Sequence, residues 1–200
     1  CFMEKLGWRD RRISPDSGSL FQTFLRALCQ LASTFPSRLE TCVVVMLRVA
    51  TDSPVEALVT LMGRYTFLPV KVCTPGELLV AGCVHLTPPG YQVTIEPKGM
   101  IRLKRLDSAR HEHASADELF TSAAKVFGPR TIGAVLSASG RDGVEGLRAI
   151  KGAGGICIVE DQRQAISSTT AIHELSACNP NYCVPVKEMG LLLAQLTTQH

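Results

Sequence analysis

The sequence predicts an α/β domain, a doubly wound and mostly parallel sheet in a Rossmann-like three-layer arrangement, and three observations predict it. From residue 20 onward, helical and strand-like periodicities alternate along the chain. Strand-like stretches such as Cys42-Val43-Val44-Val45-Met46-Leu47 are apolar without interruption, as strands covered on both faces are. One stretch, residues 74–106, breaks the alternation with turn-rich β texture and reads as a β-hairpin insertion. Two hundred residues are one domain's worth, with no linker or repeat, so residues 1–200 are expected to form a single domain.

The elements follow in order. Leu20, Phe21, Phe24, Leu25, Leu28, Leu31 and Ala32 recur at helical spacing and stop before Pro36. The apolar run at 42–47 is a buried strand. Asp52-Ser53-Pro54 opens a helix, with Pro at or near its first position and Val55, Leu58, Val59 and Met62 turned inward. Residues 70–73 read as a short strand. Within the insertion, residues 84–87, 92–95 and 100–104 read as strands separated by Pro88-Pro89-Gly90 and Pro97-Lys98-Gly99. Ser115 and Glu118 fit a capping box for a helix over 119–127, which Gly128-Pro129 ends. The remainder reads as strand 132–137, helix 144–151, strand 156–160, a short helix at 171–177, strand 182–185 and a closing helix at 189–196.

Composition narrows the function classes. Hydrophobic residues at 46% and charged residues at 20% exclude bulk disorder. A net charge of +3 is too small to argue for nucleic acid or an anionic membrane. No apolar run approaches the ~20 residues of a membrane span, so no membrane insertion is expected. The chain opens at Cys1 without an initiator Met or an apolar signal core, a start that reads as cut, with room for upstream domains. None of the eight cysteines forms a CxxC pair, so neither zinc nor redox chemistry is expected. Cys42, Cys73, Cys83, Cys157 and Cys183 lie in or beside apolar strands and read as small core residues in a reducing, cytoplasmic compartment.

In open α/β sheets, ligands gather at loops leaving the carboxyl ends of strands. The most distinctive such loop is Ser137-Ala138-Ser139-Gly140-Arg141-Asp142-Gly143, leading into Val144-Glu145-Gly146-Leu147. Its glycines allow a tight turn whose free N–H groups face an anion. The plainer alternative is that Asp142 caps the following helix. The loop matches neither the dinucleotide fingerprint nor the P-loop.

Residues 135–147 also resemble the "LTGMGxDGxxGL" segment of CheB, the chemotaxis protein-glutamate methylesterase family. Pro75-Gly76-Glu77 and residues 81–89 are similar to that family's "DGE…PGHVYIAPP" stretch. Asp117-Glu118-Leu119-Phe120 with Ser122-Ala123-Ala124 resembles its "DxLFxSxA" helix. Gly154-Gly155, Glu160-Asp161, Val184-Pro185 and Glu188-Met189-Gly190 match its later segments. The resemblance is clearest over residues 35–196.

The resemblance implies a serine hydrolase: a Ser attacks a receptor glutamate methyl ester, a His acts as base, and an Asp orients the His. The Asp falls on Asp142. The base position holds Arg48, within Leu47-Arg48-Val49-Ala50. The nucleophile position falls on Asp16 when the turn at 14–19 is the anchor, and on Phe21 when counted back from Arg48. The strand before that turn is expected at residues 8–13, where Arg9, Asp10, Arg11 and Arg12 interrupt it. A guanidinium with a pKa above about 12 cannot serve as a general base at neutral pH. Asp16 and Arg48 beside Asp142 would form an ion-paired plug, unless Arg48 is simply a solvated strand end.

These departures predict a non-catalytic module that binds or scaffolds protein partners, a chemoreceptor or other signalling domains, with no cofactor, metal or nucleic acid. The enzyme alternative is an active ester hydrolase with a displaced set: Ser17 or Ser19 as nucleophile, with His85, His111, His113 or His173 as base. Against it, Ser19 more simply caps the helix at Leu20, and His85 lies inside a hairpin strand. His111, Glu112 and His113 form an alternating polar stretch that reads as solvated rather than metal-binding. A third reading is a small-anion or nucleotide binder using the turn from Gly140 to Gly146.

Overall fold

The computed structural model describes residues 2–5, 17–47, 54–107, 113–136, 142–161 and 179–198, with side chains from residue 26 onward. In chain order the elements are β1 (Phe2–Lys5), α1 (Ser17–Thr34), β2 (Val43–Leu47), α2 (Val55–Gly63), β3 (Val70–Val72) and β4 (Val84–Leu86). They continue with β5 (Tyr91–Glu96), β6 (Met100–Arg105), α3 (Ala116–Phe127), β7 (Ile132–Leu136) and α4 (Val144–Gly152). The last three are β8 (Ile156–Glu160), β9 (Tyr182–Val184) and the closing helix, α5 (Val186–Thr198).

Seven strands form one parallel sheet in the order β3-β4-β2-β1-β7-β8-β9. Alternate residues of the buried strands feed two separate cores, as the two-residue period of a strand requires. Val43, Val45 and Leu47 of β2 pack with Leu28 and Leu31 of α1, Met62 of α2, and Met189 and Leu193 of α5. Val44 and Met46 face the opposite way, toward Leu119 and Phe120 of α3, Leu147 of α4, and Val93, Ile95 and Ile101 of the β5–β6 hairpin. The result is the expected doubly wound, three-layer domain.

The insertion differs from its reading. Residues 84–87 were expected beside the hairpin strands, but β4 lies in the main sheet between β3 and β2. Val84, His85 and Leu86 are all buried, which a strand covered on both faces explains and a surface hairpin would not. The two-stranded hairpin is β5–β6 alone. Residues 8–13, where a strand was expected, lie outside the described residues; the described strand ahead of α1 is β1, which pairs with both β2 and β7 at the sheet's centre. Among the cysteines, Cys29, Cys73, Cys83 and Cys157 are buried, but Cys183 is exposed because β9 is an edge strand. The helix expected at 171–177 lies outside the described residues.

Candidate functional site

The chain moves from β1 to β2 in one direction and returns to β7 on the other side of β1, so the topological switch point lies between β1 and β7. Ligands of open α/β sheets bind in the crevice outside the carboxyl ends of strands at such a point. Register aligns the strand ends there: Lys5 pairs with Leu47 of β2 and with Leu136 of β7. Glu160, 7% exposed, closes β8 one residue beyond the Val135–Val159 pair. It is a buried carboxylate at this edge, one that the resemblance matched without giving it a role.

Asp142 follows β7 on this edge, and its partners are the first residues of α3. Its Oδ1 accepts the Ser115 hydroxyl at 3.0 Å and the Asp117 N–H at 3.3 Å, while Oδ2 accepts the Ala116 N–H at 3.1 Å. The free N–H groups of a helix start favour a carboxylate, through hydrogen bonds and through the helix dipole. Asp142 therefore caps α3, not the helix it precedes as the plainer sequence reading had it. The N-cap of α4 is Gly143, at φ 96° and with no side-chain cap of its own.

The cap of α4 comes from α3. Asp117 Oδ1 accepts the Gly146 N–H at 2.6 Å. Burial pushes the Asp117 carboxyl above its ordinary range; the Gly146 N–H opposes this, and the like charge of Asp142 adds to it. Because this turn of α4 already holds a carboxylate, the glycine-turn reading as an anion site loses ground. Ser115 is the N-cap of α3, as expected, accepting from Glu118 N at 3.4 Å. The reciprocal half of the capping box is replaced. The Ser115 N–H donates to Gln92 Oε1 at 2.6 Å, so the hairpin, not Glu118, satisfies it.

The remaining candidates separate. Arg48 and Asp16 lie outside the described residues, as do His111, Glu112 and His173. Leu47, the neighbour of Arg48, ends β2 on the switch-point edge. Helix α1 begins at Ser17, which puts Ser19 inside its first turn rather than at a cap before Leu20. His113 is exposed in the approach to α3. His85 is fully buried in β4: its Nε2 accepts the Val80 N–H at 3.3 Å, and its Nδ1 has no hydrogen-bond partner. Burial, and then the nearby Lys71 ammonium, hold its pKa below the ordinary histidine value. Beside it, Lys71 and Glu77 form an ion pair that Thr74 supports at 2.7 Å. No group of three metal-ligating side chains occurs among the described residues.

A parallel, doubly wound sheet with a topological switch point between β1 and β7, and two cross-capped helices on one face, defines an open α/β domain, a class that binds its ligands at the carboxyl edge. The chain belongs to the CheB methylesterase family, whose model matches residues 24–193. It is similar to the protein-glutamate methylesterase FrzG of Myxococcus xanthus, at 34% identity over 116 residues, 58% of this chain and 35% of that protein. It is also similar to protein-glutamate methylesterase/protein-glutamine glutaminase 2 of Anaeromyxobacter dehalogenans, at 32% identity over 174 residues, 86% of this chain and 50% of that protein. The crystal structure of the Thermotoga maritima CheB methylesterase catalytic domain superposes with a TM-score of 0.77 at 19% identity, covering 98% of this chain and 95% of that one. The chain thus spans between a third and a half of the length of these curated relatives.

Proposed function

We propose that this CheB methylesterase-like domain of a chemotaxis-type protein binds signalling proteins in the cytoplasm without hydrolysing esters. The observation that carries the reading is the residue after Leu47. Strand β2 ends there on the switch-point edge, and by resemblance the next position belongs to the general base, yet it holds Arg48. A permanently protonated guanidinium cannot accept the nucleophile's proton. Asp142, the one triad position that matches, has a structural task at the start of α3 that explains its presence without catalysis. The relatives bear the names of enzymes acting on protein glutamate and glutamine side chains. Binding protein chains is the part of that activity that does not require the missing groups.

The test is hydrolysis of p-nitrophenyl acetate and of a methylated chemoreceptor fragment by the purified chain. The expected rate stays within about tenfold of buffer, because loss of an active-site Ser or His costs on the order of a million-fold in kcat in a serine hydrolase. A second reading, an active esterase with a displaced set, draws support from helix α1 beginning at Ser17 after the central strand β1. Clear turnover that disappears in Ser17→Ala or Ser19→Ala would establish it in place of the first.

A further inference from the structure

We propose that Cys42 and Cys83 form a redox-modification site, a dithiol that a hydroperoxide converts to an intramolecular disulfide. The two residues stand side by side, one position ahead of β2 and β4, whose register pairs Val43 with Val84 and Val44 with His85. Val43 and Val84 both turn to the first core, so by strand alternation Cys42 and Cys83 turn together to the other face of the sheet. The Val43 N–H donates to the Cys83 carbonyl at 3.0 Å, and the Gly82 N–H donates to the Thr41 carbonyl at 3.0 Å. The strands are therefore already joined at the cysteines. Gly82, at φ 71°, marks how closely the chains approach: a Cβ there would lie 3.3 Å from the Leu39 carbonyl oxygen. Neighbouring strands lie roughly 4.8 Å apart, and a disulfide joins Cα atoms about 4.4–6.8 Å apart.

Packing separates this pair from the other cysteines. Cys73 and Cys157 belong to the second core, and Cys157 Sγ is engaged with the Leu147 carbonyl at 3.2 Å. Neither Cys42 nor Cys83 is part of either core. Cys83 is 5% exposed, and its Sγ reaches the Val84 carbonyl at 3.9 Å, a long contact. Cys42 is half-buried at the amino edge of the sheet, where residues 37–40 and 81–82 wall an open cleft. It is the thiol that an oxidant reaches first. Burial raises the Cys83 thiol above its ordinary range, and the Lys71 ammonium opposes this. Burial pushes the Cys73 thiol up to about 12, which leaves it little reactive thiolate.

The step balances with the peroxide as its only oxidant. The Cys42 thiolate attacks one peroxide oxygen, the O–O bond breaks, and Cys42 becomes a sulfenic acid while the leaving hydroxide takes a proton. The Cys83 thiolate then attacks that sulfur. The S–S bond forms, the S–O bond breaks, and the second oxygen leaves as water. Two thiols and one peroxide give one disulfide and two waters; the sulfurs lose two electrons and the peroxide gains them. A dithiol reverses the step by exchange. Without a CxxC pair no redox chemistry is expected from spacing, because these partners lie far apart in the chain and only the sheet joins them. The site is independent of ester hydrolysis, since both cysteines lie at the amino edge, away from the switch-point crevice.

The experiment treats the purified chain with hydrogen peroxide, alkylates the remaining thiols after denaturation, and maps the peptides by mass spectrometry. A bridge between Cys42 and Cys83 should be the main intramolecular product, formed at least about tenfold faster than any other pairing and removed by dithiothreitol. Cys42→Ser should abolish it and slow oxidation of Cys83 by about tenfold or more. Cys83→Ser should leave Cys42 as a sulfenic acid that dimedone traps. Cys183→Ser, on the exposed edge strand, should leave the bridge unchanged, and circular dichroism checks that each variant is folded. The bridge is mapped in the parent chain, so a variant that fails to fold does not remove the test. Peroxide that oxidises Cys183 but leaves Cys42 and Cys83 as thiols would overturn the site. So would preferential bridging to any other cysteine, over-oxidation of Cys42 without a bridge, or an equal yield of the bridge in urea, where the sheet no longer aligns the pair.

Discussion

Asp117 and Asp142 cap each other's helices. Asp117, in the first turn of α3, takes the Gly146 N–H of α4, and Asp142, just ahead of α4, takes the first N–H groups of α3. Each helix start receives a carboxylate where its unsatisfied donors and dipole favour one. The exchange also locks the two helices together at the carboxyl edge, on the same side of the sheet. The arrangement brings two carboxylates near each other, and the donors on both helices offset that repulsion.

Removing either cap should therefore cost more than an ordinary surface substitution. Asp142→Ala, which deletes the acceptor of three hydrogen bonds, is expected to lower stability by about 2 kcal/mol in urea unfolding. Asp117→Ala should cost about 1–2 kcal/mol. Asp117→Asn should cost less, because the amide oxygen still accepts from Gly146 and the buried charge is gone. The double alanine variant should fall short of the sum by about 0.5 kcal/mol or more, since both act on one helix pair. Strictly additive losses would show that the two caps are independent.

The same crossing depends on a missing side chain. A Cβ on Gly146 would lie 2.6 Å from Phe120 Cβ and 3.0 Å from Asp117 Cα, closer than real contacts allow. Gly146→Ala should thus destabilise by about 1–3 kcal/mol despite alanine's better helix propensity. Gly152, in the last turn of the same helix, has nothing within 4 Å of such a Cβ. Gly152→Ala should be neutral or stabilising by up to about 1 kcal/mol. Thermal melts of the pair separate packing from propensity, and equal effects would deny the close crossing.

Much of this was legible beforehand, and the reason is periodicity. The uninterrupted apolar run of β2 and the helical spacing of Leu28, Leu31 and Ala32 report burial directly, and burial set these elements. What the sequence hid was partnership across the chain. Asp142 looked like a cap for its own helix because capping is ordinarily local, whereas its actual donors lie 25 to 27 residues earlier. Gln92 took the place of Glu118 at Ser115 for the same reason. Phe2–Lys5 is only four residues long and gained strand character from pairing on both sides, while residues 8–13 drew attention by position in the resemblance. Likewise β4 read as hairpin because it is three residues long and sits among turns.

His85 makes stability depend on pH, and the sign follows from its environment. Burial and Lys71 favour the neutral ring, Glu77 opposes them, and the net folded pKa lies below the ordinary value of 6.5. The unfolded chain then binds the proton more readily, so the contribution is full above about pH 6.5 and is lost as pH falls toward the folded pKa. Protonation also puts a hydrogen on the Nε2 that accepts the Val80 N–H. Chemical denaturation between pH 7.5 and 5.5, rough limits set above the carboxylate range, should show stability declining with acid. The decline should be shallower in His85→Gln and His85→Leu. Glu77, whose burial would raise its pKa but whose bonds to Lys71 and Thr74 lower it, titrates below this window. Parallel profiles for parent and variants would assign the acid sensitivity elsewhere.

Arg48→His tests whether the base is all that the site lacks. In the family's chemistry the histidine takes a proton from a serine, and it is oriented by an aspartate. Here the aspartate position is Asp142, already accepting three hydrogen bonds from the start of α3, and neither sequence register of the nucleophile turn leaves a serine in place. A base with nothing to deprotonate gives no acyl transfer. The single substitution should accordingly leave p-nitrophenyl acetate hydrolysis within about tenfold of the parent, beyond a small gain that any exposed imidazole provides. Combining it with Asp16→Ser should give turnover only if that register is the right one. If Arg48→His alone raises the rate by about a thousandfold or more, a working nucleophile stands beside it. Loss of that gain in a further Ser17→Ala substitution would identify the nucleophile as the serine that opens α1.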